Sequence, residues 1–129
     1  MADNLTDTAE NGLLDHLFGT QAFSITTPIK LALCTTATTP SDTVAGTEVT
    51  GGSYARQTIT FSNAASGATS NNAIINFTGM PACTVGYIEI YDTTGTPKRL
   101  AYGALGANKT LSAGDTLQFA ATAVSISLS

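Results

Sequence analysis

With 129 residues the chain has the length of one domain, enough to bury a core without staples. Only 11% of its residues are charged, against about 25% in ordinary soluble domains, while 23 are threonine and 10 serine, so the surface is polar through hydroxyls and amides. The net charge of −4 disfavours a nucleic-acid partner, whose phosphates select basic surfaces.

The charge is uneven. Asp3, Asp7, Glu10 and Asp15 come early, while Lys98, Arg99 and Lys109 come late, an asymmetry that suits head-to-tail docking of copies. No signal-peptide pattern opens the chain. No segment reaches the ~18–20 apolar residues of a membrane span, so the expectation is a protein made in the cytosol, with no membrane partner, that stays soluble or leaves by a route other than a cleaved signal. Cys34 and Cys83 lack metal-ligand spacing and read as free, buried thiols, with a disulfide between them as the less favoured alternative.

In chain order, residues 1–6 read as a loose arm. A helix follows over 7–18, with Asp7 as its cap, Glu10 completing a capping-box pattern and Gly19 as its stop. Leu13, Leu14, Leu17 and Phe18 form one apolar stripe. A helix this short needs that stripe covered, by its own sheet or by another subunit. His16 reads as an exposed residue of the last turn, favoured there by the helix dipole.

Residues 29–35 are the first strand, with Ile29, Leu31 and Leu33 on one face and Lys30, Ala32 and Cys34 on the other. The Thr/Pro/Ser/Asp run over 36–47 is a long surface loop, a length that usually signals function or ordering by a partner. Glu48–Phe61 carries a turn at Gly51-Gly52 that needs positive φ, then Tyr54 and Arg56, then alternating strand residues. Arg56, the lone cation of this stretch, is expected to pair with a carboxylate such as Glu48. Residues 62–72 are a second loop. Strands follow at 73–78 and 85–92, the latter with Ile88 and Ile90 on the core face and Tyr87, Glu89 and Tyr91 opposite. A hairpin at 93–97 leads to a return strand at 98–105 and a short strand at 109–111. In the last strand, 116–128, apolar parity switches, which predicts a bulge, bend or crossing between sheets from Ala121 to Val124.

This pattern predicts an all-β fold: an antiparallel β-sandwich or jelly-roll-like barrel of about seven or eight strands. An arm and helix over 1–28 would precede a β domain over 29–129. No catalytic constellation, cofactor fingerprint or metal-ligand set stands in the sequence. Glu48, Glu89, Asp92 and Asp115 read as turn and solvent-face carboxylates rather than a glycosidase pair. Tyr54, Tyr87, Tyr91 and Tyr102 leave a sugar-stacking, lectin-like module for host glycans as the alternative, although tyrosine is common at protein contacts.

Three ordered pieces carry a resemblance: 13–19 (LLDHLFG), 48–57 (EVTGGSYARQ) and 113–119 (AGDTLQF), with Leu-Cys-Thr-Thr-Ala closing the first strand. Together they resemble a family of small tailed-bacteriophage virion proteins, usually labelled tail fibre or minor tail proteins. The family strand continues toward an Asp-Pro in the loop, where this chain has Thr39-Pro40 and Asp42. Head decoration (cement) proteins are similarly small and β-rich. The resemblance implies a non-enzymatic structural protein without cofactor or metal, homo-oligomeric and packed on capsid or tail subunits. It implies an interface including Leu13, Leu14, Leu17, Phe18, Tyr54 and Arg56, with the 36–47 and 62–72 loops as a contact face.

Overall fold

The computed structural model describes residues 5–41 and 44–128. Helix α1 (Asp7–Leu17) precedes eight strands: β1 (Lys30–Cys34), β2 (Gln57–Thr58), β3 (Ala68–Ser70), β4 (Ile75–Phe77), β5 (Cys83–Tyr91), β6 (Arg99–Leu111), β7 (Leu117–Phe119) and β8 (Ser125–Ser127). All strand pairs are antiparallel. The main sheet has the order β2-β1-β5-β6, and two ribbons, β3-β8 and β4-β7, complete an all-β sandwich of the expected class.

Register builds the core. Leu31 lies opposite Ile90 and Leu33 opposite Ile88, which puts all four on one face of the main sheet. That face belongs to the core cluster formed with Phe77, Leu117 and Phe119 of the β4-β7 ribbon. The Tyr54 ring stacks on Phe77 at 5.9 Å, and Phe119 meets Phe77 edge-on at 6.1 Å. The two glycines of the predicted turn have φ of 102° and 56°. A methyl group on Gly52 would lie 2.6 Å from the Gly79 carbonyl, so this turn needs glycine for space as well as for conformation.

The N-terminus differs from expectation. Residues 1–4 of the predicted loose arm lie outside the described residues, and Leu5 and Thr6 are held. Leu5 forms a bridge with Ala101, and the Thr6 N–H donates to Leu100 at 3.0 Å. Thr6, not Asp7, caps the helix: its Oγ1 accepts from the Ala9 N–H and donates to the Arg99 carbonyl. Gly12 sits inside the helix, where glycine costs about 1 kcal/mol relative to alanine. The Phe23 ring explains it, because it occupies the space a Cβ at Gly12 would need. Gly19, at φ 76°, follows the helix as predicted.

The strand map is corrected in three places. The predicted strands at 98–105 and 109–111 are one strand, β6. Tyr87 pairs with Ala104 and Val85 with Lys109, so residues 105–108 bulge opposite Gly86 alone. The 62–72 loop contains β3. The last strand is two, β7 and β8, in different ribbons. The break falls in the predicted stretch: the Ala123 N–H donates to the Ala120 carbonyl and Thr122 has φ 69°.

Asp92 was expected at a turn or solvent face; it closes the predicted β5–β6 hairpin but is buried. Its carboxylate accepts from the Lys98 N–H at 2.7 Å, Thr94 Oγ1 at 2.9 Å and the Thr26 N–H at 3.2 Å. Burial alone would raise its pKa, but these hydrogen bonds outweigh it and hold the pKa below the ordinary 3.8. A carboxyl depressed on folding stabilises above its unfolded pKa, and that contribution is lost as pH falls through the folded value. Acid titration of the unfolding free energy should therefore show a loss below about pH 4 that Asp92→Asn lacks. Equal losses in both proteins would remove Asp92 from this role.

Candidate functional site

The predicted apolar stripe divides into two parts. Ala9 is the buried residue of α1, which packs toward β6, and Leu13 is half-buried. Leu14, Leu17 and Phe18 are not covered by their own sheet: they are 54%, 64% and 77% exposed. Leu14 and Phe18 stand one turn apart, as do Leu13 and Leu17, so the exposed side chains make a continuous ridge at the helix's C-terminal end. The segment behind it is fixed. The Asp15 carbonyl accepts from the Thr20 N–H, Asp15 Oδ1 accepts from Thr20 Oγ1, and His16 Nδ1 accepts from the Phe23 N–H at 3.3 Å. His16 is exposed, as expected for the last turn.

Tyr54 and Arg56 belong to a second constellation, in which the Tyr54 ring packs against the core while its hydroxyl meets Glu48. Arg56 makes the predicted pair with Glu48 as a two-pronged fork, Nη2 to Oε1 at 2.7 Å and Nε to Oε2 at 3.0 Å. Its guanidinium lies 3.8 Å from the centre of the Tyr91 ring. Tyr54 Oη accepts from the Leu33 N–H and donates to Glu48. The hydrogen bonds from Arg56 to Glu48 raise the Arg56 pKa further, while burial pushes the Tyr54 and Tyr91 hydroxyls up.

Beneath this pair lies a residue that the sequence placed on the solvent face. Glu89 is 1% exposed. It accepts from the Gly46 N–H at 2.9 Å, from Tyr91 Oη at 2.9 Å and from Cys34 Sγ at 3.4 Å. Arg99, also buried, approaches it at 3.4 Å and donates to the carbonyls of Thr39 and Ser41. Thr39, Ser41 and Gly46 are thus tied down over the sheet by the Glu89–Arg99 pair. Gly46 passes so close that a methyl there would lie 2.8 Å from the Thr36 carbonyl and 3.1 Å from Cys34 Cβ. Val44, further along the same loop, is exposed. Asp42 lies outside the described residues.

This constellation holds a loop. Burial, then the neighbouring Glu89 charge, pushes the Cys34 thiol up to about 12, far from a nucleophilic thiolate. Glu89 and Asp92 sit in separate hydrogen-bond networks and do not form a carboxylate pair. Both cysteines are free, with Cys34 buried and Cys83 half-buried. Among the described residues, no buried side-chain nitrogen or oxygen lacks a hydrogen-bond partner, and no cluster of three His, Cys, Asp or Glu side chains is placed to hold a metal. Tyr54 and Tyr91 are engaged within the protein, which removes two of the four rings available for sugar stacking. No helix among the described residues is long and apolar enough to cross a membrane.

Comparison with known proteins places nearly the whole chain. A family model described as podophage GP4 fiber I protein gp80 matches residues 4–127. No curated protein matches the chain.

Proposed function

The chain belongs to the podophage GP4 fiber I protein gp80 family, whose members are tail-fibre-type virion proteins, and from that premise we propose that it is a non-enzymatic, tail-associated structural component that docks on a neighbouring virion subunit through α1. The observation that carries this reading is the ridge of Leu14, Leu17 and Phe18, three large apolar side chains exposed together on a short helix. Covering them would supply the burial that a helix of this length otherwise lacks. Residues 1–28 act as the docking unit and 29–129 as the rigid body. Leu13 anchors the ridge to that body. Tyr54 and Arg56 act behind the contact, fixing Glu48 and the adjoining 36–47 loop as a second contact face.

Phage carrying Leu17→Glu with Phe18→Ser tests this. Both residues are exposed, so the purified variant should keep its melting temperature within about 3 °C. Particles should lose most of the chain, about tenfold or more by immunoblot, as expected when the centre of an interface is broken. Undiminished incorporation of the folded variant would sink the role of the ridge.

A further inference from the structure

We propose that the subunit met by the ridge is a different virion protein, one with an apolar cleft rimmed by lysine or arginine; this rests on the docking role just described and names the partner's chemistry. The helix presents more than a ridge on its outward side. Asp7, Glu10, Leu14, Leu17 and Phe18 stand at i, i+3, i+7, i+10 and i+11, which is one side of an α-helix. Ala9, which seats α1 on the body, lies on the other side. Asp15, three residues before Phe18, flanks the ridge, and both Asp7 and Asp15 are exposed. The outward face thus has an apolar centre and an acidic rim, the layout of a protein–protein contact.

The charge balance of the whole chain falls on this face. Residues 1–29 hold four carboxylates, Asp3, Asp7, Glu10 and Asp15, and no lysine or arginine. Residues 30–129 hold five carboxylates and five cations, so the net charge of −4 belongs to the N-terminal segment. Within the β body three of those cations meet carboxylates directly: Arg56 meets Glu48 at 2.7 Å, Arg99 meets Glu89 at 3.4 Å and Lys98 meets Asp92 at 3.6 Å. The helix dipole accounts for acidic residues in the first turn, but not for Asp15, which stands in the last turn where a carboxylate is disfavoured. The hydrogen bond that Asp15 Oδ1 accepts from Thr20 Oγ1 needs an acceptor there, not a charge.

A second copy would set this acidic rim against like charge, so the fit is to an unlike, basic subunit. The face is also held in place before it binds. At one end of the helix the Thr6 and Asp7 N–H groups donate to the Leu100 and Pro40 carbonyls, each at 3.0 Å. At the other end Thr20 is tied to Asp15 and the Phe23 N–H to His16. A preformed face loses little freedom on docking. Exposed ion pairs add little affinity but speed encounter and select the partner. The ridge therefore holds the subunit, and the rim chooses it.

Intact phage particles dialysed across about 0.05 to 0.5 M salt, then sedimented and immunoblotted, read this contact directly. The wild-type chain should leave the particles progressively as salt rises, measured against the other particle proteins. Asp7→Asn with Asp15→Asn removes two charges and keeps the acceptor for Thr20. Its retention at low salt should fall about fivefold and depend less on salt, while its melting temperature stays within about 3 °C. A variant retained like the wild type at every salt concentration would overturn the basic rim. So would retention that rises with salt, or released chain that dimerises more tightly as salt rises. Continued loss of Leu17→Glu/Phe18→Ser from particles would then leave docking through the ridge standing; retention of both variants would remove the docking role as well.

Discussion

Glu89→Ala is expected to cost about 3–5 kcal/mol, because it strands the Arg99 guanidinium, 6% exposed, without its counter-charge. The loss should lower the midpoint of thermal unfolding by roughly 10–20 °C in a domain of this size. The same change removes the acceptor for the Gly46 N–H and the Tyr91 hydroxyl. Amides around Gly46 should therefore exchange with solvent well before the core strands do. Removing both charges in Glu89→Met/Arg99→Leu should recover part of the loss, since a buried ion pair is often replaceable by apolar side chains although its half is not. A single Glu89→Ala within about 1 kcal/mol of the wild type would show that the 36–47 loop is held by other means.

Asn71→Ala should be the next most damaging change, at about 2–4 kcal/mol. Asn71 is fully buried where the chain leaves one ribbon for the other. Its Nδ2 donates to the carbonyls of Ala73 and Ala120, and its Oδ1 accepts from the Val124 N–H at 2.9 Å. Its backbone joins the same knot, with its N–H donating to Val124 and its carbonyl accepting from Thr122. One amide side chain thus satisfies the β7–β8 crossing from within, and alanine leaves the Val124 N–H buried without a partner. Chemical denaturation gives the magnitude, and loss of exchange protection at the Val124 amide gives the location. Protection unchanged at Val124 would contradict the assignment.

Much of this architecture was legible in residue pattern alone. The parity switch between Ala121 and Val124 located the crossing, since the two apolar sets belong to strands of different ribbons. The glycines at 51 and 52 announced their turn. Arg56 found Glu48 because few cations and carboxylates compete near it. The bulge at 105–108 hid the continuity of β6, because four unpaired residues with two small side chains, Gly106 and Ala107, look like a break.

The buried carboxylates were missed for a different reason. On β5 the residues alternating with Ile88 and Ile90 were read as facing solvent. The signal against that reading lay on β1, whose Ala32 and Cys34 are apolar on the second face as well. A strand apolar on both parities is covered on both sides. Ala32 lies opposite Glu89, and the cover is the loop that Glu89 and Arg99 hold. The helix stripe was legible as a stripe, but which of its side chains meet the body and which remain exposed depends on how Thr6 and Phe23 seat the helix.

The most direct measurement is an electron cryomicroscopy map of the intact particle, resolved well enough to place this chain. The account predicts its density on the tail, with Leu14, Leu17 and Phe18 buried against a neighbouring subunit. Density confined to the capsid lattice, or density on the tail in which the three side chains face solvent, would contradict it.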